Sequence, residues 1–120
     1  MAPPPRSVMR LLPAAMFLAV ACTSGSQSGW VTIVEDPSAI CMVNDRYTGQ
    51  RQIPITAEGR TYYGCCAGCV SRLQNDPAVR TAVDPVTGNR VDKATAVAAR
   101  LNDGRVLYFE NAESVARYRP

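Results

Sequence analysis

The 120-residue chain contains no histidine. This absence excludes the usual imidazole zinc sites, and it excludes any nucleophile in which a histidine activates a cysteine or a serine. The acidic residues are scattered, and no two of them are spaced for general acid–base catalysis. We therefore expect a protein that is not an enzyme.

The sequence also lacks an apolar run of the ~20 residues that a membrane-spanning helix needs. The run from Leu11 to Ala21 is shorter and contains Pro13, and it follows a basic start with Arg6 and Arg10. A charged start, a short apolar stretch and small residues are typical of a secretory signal peptide.

Without this leader the chain keeps 11 basic and 10 acidic residues, a formal charge of +1 instead of +3. Such a balance provides no basic stripe for nucleic acid.

The leader ends in Leu18-Ala19-Val20-Ala21-Cys22, which resembles the lipobox of bacterial lipoproteins. The resemblance implies that residues 1–21 are removed and that acyl chains on Cys22 anchor the protein to a membrane. Thr23 stands where an inner-membrane retention aspartate would be, which favours the outer membrane facing the periplasm. Residues 22–29 are rich in glycine and serine and predict a flexible tether.

Within residues 30–120, two segments resemble each other at an offset of 45 residues. Gly59-Arg60 corresponds to Gly104-Arg105, and identical residues recur further along at Tyr63/Tyr108, Ala67/Ala112, Val70/Val115 and Arg72/Arg117. Asp36-Pro37 similarly resembles Asp84-Pro85 at a slightly larger offset. A repeat of this length usually indicates a repeated supersecondary unit.

Each copy has the pattern of a hairpin followed by a short helix. Alternating apolar residues flank a turn at Glu58-Gly59 in the first copy and at residues 102–104 in the second. We therefore predict an α+β domain in which two tandem ββα units, at about 31–76 and 84–120, pack on one core. Asp76-Pro77 predicts the start of a further short helix that continues to about Val83.

The candidate chemistry lies in the four cysteines of the first copy: Cys41, Cys65, Cys66 and Cys69. Cys65 and Cys69 are four residues apart at the start of the predicted helix, so their thiols can face the same side. A helix N-terminus favours the thiolate, and thiolates select soft metals such as Cu(I) and Zn(II). Cys41 lies 24 residues before Cys65, where a hairpin can return it to this pair.

A cysteine, twenty-odd residues and a Cys-x3-Cys motif after an aromatic strand resemble the TRASH domain, a module of heavy-metal sensing, trafficking and resistance. The resemblance implies that Cys41, Cys65 and Cys69 are the metal ligands. Cys66 is then additional, since the related YHS domain usually has serine there, and it is a candidate fourth ligand.

The second copy resembles the YHS domain without its cysteines. Thr87, Glu110 and Ser114 stand where that family would place them. The resemblance implies a structural partner whose metal site has been lost.

These resemblances together imply a membrane-anchored protein outside the cytoplasm that binds Cu(I) or Zn(II) in metal trafficking, buffering, sensing or resistance. Its partner would be a metal-transport or metal-resistance protein. Two other interpretations remain open. The four cysteines of an exported domain can form two disulfides, or Cys66 and Cys69 can form a redox pair with the C-x-x-C spacing of thioredoxin.

Overall fold

The computed structural model describes residues 2–4 and 29–120. Most of the expected signal peptide (residues 1 and 5–21), Cys22 as the expected lipidation site and residues 23–28 of the tether lie outside the described residues. Within the described part, no helix has the length and apolar character that crossing a membrane requires.

The described residues form nine short strands and two α-helices. The strands are β1 (Thr32–Ile33), β2 (Ile40–Cys41), β3 (Arg46–Tyr47), β4 (Ile53–Ala57), β5 (Arg60–Gly64), β6 (Thr81–Val83), β7 (Arg90–Asp92), β8 (Val97–Arg100) and β9 (Val106–Phe109). Helix α1 (Ala67–Asn75) follows β5, and helix α2 (Ala112–Arg117) follows β9. Short 3₁₀ helices at Pro37–Ala39 and Pro77–Arg80 precede β2 and β6.

The strands pair antiparallel in several small sheets. Strands β1, β8 and β9 form a three-stranded sheet in that order, and the others pair as the hairpins β2–β3, β4–β5 and β6–β7. This mixture of small sheets and helices is compatible with the predicted α+β class. The sequence did not indicate β1, β2–β3 or β6–β7, because strands of two or three residues are too short to show an alternating pattern.

The hairpin predicted at Glu58-Gly59 is confirmed. Both turn residues have positive φ, 50° and 75°, as the tight turn between twisted strands requires. The turn sets a register in which Ile55 pairs with Tyr62, and both side chains are buried. This hairpin leads directly into α1.

The predicted helix from Asp76 to Val83 is only partly correct. The Asp76 side chain accepts a hydrogen bond from the Ala78 amide at 3.0 Å, as expected for a capping residue, but the helix is a 3₁₀ turn that ends at Arg80. The next residues form β6, because Thr81 pairs with Asp92 of β7. Backbone pairing with a distant strand is a tertiary effect that the local pattern does not show.

Residues of both predicted copies meet in one buried cluster. Tyr62 and Leu73 of the first copy are packed together with Ala98, Val106 and Tyr108 of the second. A smaller cluster surrounds the base of α2 and comprises Val31, Ala99, Phe109 and Val115. The two copies therefore depend on shared apolar packing.

A polar network also joins the two copies. Asp92 accepts hydrogen bonds from the Tyr62 hydroxyl at 2.9 Å and from the Ala94 amide at 2.8 Å, and it pairs with Arg60 at 2.6 Å. Burial alone would raise the pKa of Asp92, but these donors outweigh burial and hold the pKa below its ordinary value. The ionised carboxylate therefore stabilises the contact between hairpin β4–β5 and β7.

We expect Asp92→Asn to lower the free energy of unfolding by about 1–3 kcal/mol at neutral pH, because buried donors lose a charged acceptor. Urea unfolding would measure the loss. Since the folded-state pKa is depressed, the stabilising effect is present above the ordinary pKa of about 4 and disappears as pH falls through the folded value. Variant and wild type should therefore converge in acid.

Asp103→Asn is a matched control for this substitution. Asp103 also accepts from an arginine, but Arg105 is two residues away in the same turn and both side chains are exposed. We expect this variant to lose less than about 0.5 kcal/mol. Equal losses for the two variants would contradict the proposed importance of the Asp92 network.

Candidate metal centre

Three cysteine sulfurs lie together in the first copy. The Sγ atoms of Cys41, Cys65 and Cys69 are all within 4.8 Å of one another, and those of Cys65 and Cys69 are 3.5 Å apart. Cys41 ends β2, Cys65 follows β5, and Cys69 lies in the first turn of α1. Cys41 and Cys69 are buried, whereas Cys65 is exposed. The chain thus brings together the three positions that the sequence resemblance implied, and we call them the cysteine triad.

The loop that carries Cys41 is held by contacts from both copies. The Met42 amide donates to the Tyr63 carbonyl at 2.9 Å, which ties the loop to β5. The buried Lys93 ammonium donates to the Met42 carbonyl at 2.7 Å and to the Asp45 carboxylate at 2.8 Å. Lys93 belongs to the second copy, so that copy positions a ligand loop of the first.

Gly64 allows β5 to approach α1 closely. A methyl group on Gly64 would lie 3.1 Å from Cys69 Cβ and 3.2 Å from the backbone nitrogen of Val70, closer than the ~3.5–4.0 Å of ordinary carbon contacts. The obstructing atoms are mostly backbone and cannot rotate away. A side chain at Gly64 would require α1 to move by a few tenths of an ångström relative to β5, which would shift Cys69 relative to Cys65.

Cys66 lies next to the triad but outside it. Its Sγ donates to Cys69 Sγ at 3.5 Å, and the residue is exposed. Cys66 is the N-cap of α1, yet its side chain makes no capping hydrogen bond. Asn111, the N-cap of α2, accepts from the Ser114 amide at 2.9 Å, a bond typically worth about 1 kcal/mol.

All four cysteines in the described part of the chain are free thiols. Among these four residues, neither disulfide of the alternative interpretation is formed. Asn44 donates its side-chain amide to Cys65 Sγ at 3.7 Å, which links the loop after Cys41 to the second thiol.

The thiols of the triad differ in their tendency to ionise. Burial opposes ionisation of Cys41, but the Asn44 and Val43 amides and hydrogen bonds from Cys65 outweigh it and hold the pKa of Cys41 below its ordinary value. Hydrogen bonds with Cys41 and Cys69 raise the pKa of Cys65 to about 12. A bound metal ion would instead favour the thiolate form of each cysteine, because metal binding displaces the protons of its thiol ligands.

Cys66 and Cys69 are shifted in opposite directions. Hydrogen bonds with the backbone and side chain of Cys69 hold the pKa of Cys66 below its ordinary value. Burial raises the pKa of Cys69.

A buried carboxylate occupies the corresponding place in the second copy. Asp84 is fully buried, and its Oδ1 accepts from the amides of Val86 and Thr87 at 2.7 and 3.1 Å. Its Oδ2 accepts from the Glu110 amide at 2.9 Å and the Ser114 hydroxyl at 2.8 Å. Burial alone would raise the pKa of Asp84, but these donors lower it below its ordinary value.

The donors to Asp84 stand at positions that match those of the groups that lower the pKa of Cys41. Cys41 also receives amides two and three residues further on, from Val43 and Asn44, and the amide of Cys65; Cys65 and Glu110 are 45 residues apart. The second copy even reproduces the link from Asn44 to Cys65. There Asn89 donates to Glu110 Oε1 at 3.0 Å, again 45 residues further along.

The resemblance of the second copy to the YHS domain placed Thr87 at one of the lost cysteine positions and did not indicate Asp84. In the structure Asp84 makes the Cys41-like contacts, and Thr87 contributes an amide to them. The sequence feature that could have indicated Asp84 is the Asp-Pro pair, which resembles Asp36-Pro37. Asp36, however, accepts from the Ser38 amide at the start of a 3₁₀ helix, as Asp76 does from Ala78.

Comparison with known proteins gives no further assignment: no family model matches the chain, and neither a curated protein nor a solved structure matches it significantly.

We predict that Gly64→Ala weakens metal binding by about tenfold, as substitutions that support metal ligands typically do. The added methyl group forces α1 away from β5 and separates Cys65 from Cys69. Competition with a chromophoric zinc chelator would measure the affinity of the reduced protein.

Gly68→Ala provides the control, since a methyl group at Gly68 meets only Cys66 Sγ, at an ordinary 3.9 Å. This variant should bind zinc like the wild type. Unchanged affinity in Gly64→Ala would show that the close approach of β5 to α1 does not set the ligand geometry.

Proposed function

We propose that this protein binds a soft metal ion, Cu(I) or Zn(II), through Cys41, Cys65 and Cys69. The observation that carries the proposal is the convergence of the three sulfurs within 4.8 Å, in which the distant Cys41 meets the local pair Cys65 and Cys69. Three thiolates suit trigonal Cu(I), and they suit tetrahedral Zn(II) when water supplies a fourth ligand. Cys66, the fourth ligand that the sequence suggested, lies outside the group of three sulfurs.

The contrast between the two copies supports this proposal. In the second copy, four hydrogen bonds to Asp84 join the loop before β7 to the N-terminus of α2. In the first copy the same junction contains three thiols in mutual contact, and thiols are weak donors and acceptors. A metal ion bonded to all three would give this junction the strength that the carboxylate gives the other.

Exposure also distinguishes the triad from ordinary core cysteines. Structural cysteines are among the most buried residues, but Cys65 is exposed. One ligand of the proposed site is thus accessible from solvent, while the other two, Cys41 and Cys69, are buried. Such a site suits exchange of metal with another protein, and it supports a role in trafficking, buffering, sensing or resistance rather than catalysis.

We further infer that the two copies are equivalent units. Matched contacts support this inference: Asp36 and Asp76 each cap a 3₁₀ helix, and Asn44 and Asn89 each donate to the residue after a hairpin. Each copy then comprises a short hairpin, a longer hairpin and a helix. The second copy would begin near Asp76 instead of residue 84.

The site would act outside the cytoplasm. The lipobox-like sequence around Cys22 supports a lipid anchor in the outer membrane facing the periplasm, with the tether holding the domain near the lipid surface. A metal-transport or metal-resistance protein in the same compartment is the partner that this function requires.

Cys69→Ser should abolish high-affinity metal binding, because it removes one thiolate of a three-coordinate site. A ligand that binds only the folded state adds RT ln(1 + [L]/Kd), about 2.7 kcal/mol at one hundred times Kd. Reduced wild type should therefore melt at a higher temperature with zinc than without it, and Cys69→Ser should show no such rise. Thermal unfolding followed by circular dichroism would measure both.

Ser114→Ala is the matched control at the corresponding position of α2. It removes the hydroxyl bonded to Asp84 and should cost about 1 kcal/mol of stability, yet the zinc-dependent rise should remain. The proposal is wrong if reduced wild type gains no stability from metal, or if Cys69→Ser gains as much as wild type.

A further inference from the structure

Cys66 is not explained by packing, capping or the triad. It is exposed, and it makes no capping hydrogen bond to α1, although asparagine, serine and aspartate are the residues that stabilise this position. Its contact with Cys69 Sγ is as close as the contact that Cys65 makes with the same atom, 3.5 Å. Cys69 therefore contacts both Cys65 of the triad and Cys66, which lies outside it.

We propose that Cys66 and Cys69 form a reversible disulfide that removes Cys69 from the metal centre, so that oxidation releases the metal. The inference rests on the proposed function, since it concerns the control of the same site. Its observational basis is the Cys66–Cys69 contact together with the opposite exposure of the two residues.

The geometry assigns the two cysteines different parts in the exchange. Cys66 is exposed at the start of α1, so its thiolate can attack a low-molecular-weight disulfide and displace one of the two thiols of that oxidant. Cys69 is buried and cannot meet the oxidant directly. Its thiolate attacks the Cys66 sulfur of the mixed disulfide and displaces the second thiol.

The step balances without any other reactant. The bond between the two oxidant sulfurs breaks, and a bond between Cys66 and Cys69 forms. Two electrons pass from the cysteine pair to the oxidant. The two leaving thiolates take up the protons of Cys66 and Cys69, or a solvent proton where the metal has already displaced that of Cys69. The sulfurs must approach from 3.5 Å to about 2.05 Å.

Metal and disulfide compete for Cys69. A bound ion holds the Cys69 thiolate and slows the second step, whereas oxidation leaves Cys41 and Cys65 as an incomplete pair of ligands. A dithiol reductant should restore the triad, because it regenerates both thiols.

The test uses the full chain, reduced and loaded with Zn(II), then exposed to oxidised glutathione. A chromogenic chelator follows zinc release, and peptide mass spectrometry maps the disulfide. We expect release together with a Cys66–Cys69 disulfide, and recovery of zinc binding after dithiothreitol. Cys66→Ser should bind zinc when reduced but release it roughly tenfold more slowly, because the accessible attacking thiol is gone.

Cys66→Asn provides a second variant that keeps the fold, since asparagine caps α2 at the corresponding Asn111. It should behave like Cys66→Ser. Release at the wild-type rate in both variants, or a mapped Cys65–Cys69 disulfide in the wild type, would overturn the proposal.

Failure of the switch can be told from failure of the metal site. If reduced wild type binds no zinc, the proposed function is wrong and the switch falls with it. If it binds zinc but releases it independently of Cys66, only the switch is wrong.

Discussion

The structure depends on a junction between a hairpin loop and the N-terminus of a helix, made once in each copy. Both junctions need a buried acceptor, because backbone amides of the loop and of the residue before the helix point into them and remain costly if unpaired. Asp84 meets this need with four hydrogen bonds. Cys41 receives the corresponding amides, and only in this copy do two further thiols approach. The cysteine triad thus lies at a junction that both copies contain, and it differs from the other junction by the thiols of Cys65 and Cys69.

The two copies are also mechanically joined. Lys93 of the second copy holds the carbonyl of Met42 beside the triad, and Asp92, its neighbour, accepts from Tyr62 on the hairpin that leads to Cys65. Both copies therefore support the cysteine triad, since they also share one buried cluster. This shared support explains how a small domain can hold Cys41 of β2 beside Cys65 and Cys69.

Much of the site was predictable from sequence because its signals are local. The turn at Glu58-Gly59 indicates the hairpin, and the spacing of Cys65 and Cys69 places both thiols at a helix start. What sequence could not give is tertiary. Asp84 looks like an ordinary turn residue until its four donors are known, and Gly64 matters only because α1 passes 3.1 Å from where a side chain would begin. The helix predicted after Asp76 is shorter in the structure for the same reason, because the residues that follow Arg80 form β6 and pair with β7.

X-ray absorption spectroscopy of the reduced protein loaded with one equivalent of Zn(II) tests the central claim most directly. The method counts the atoms bonded to the metal and identifies their element. We expect at least three sulfur neighbours at about 2.3 Å, the usual Zn–S distance, and one sulfur fewer in Cys41→Ser. A shell of oxygen or nitrogen atoms alone, or the same sulfur count in wild type and Cys41→Ser, would contradict it.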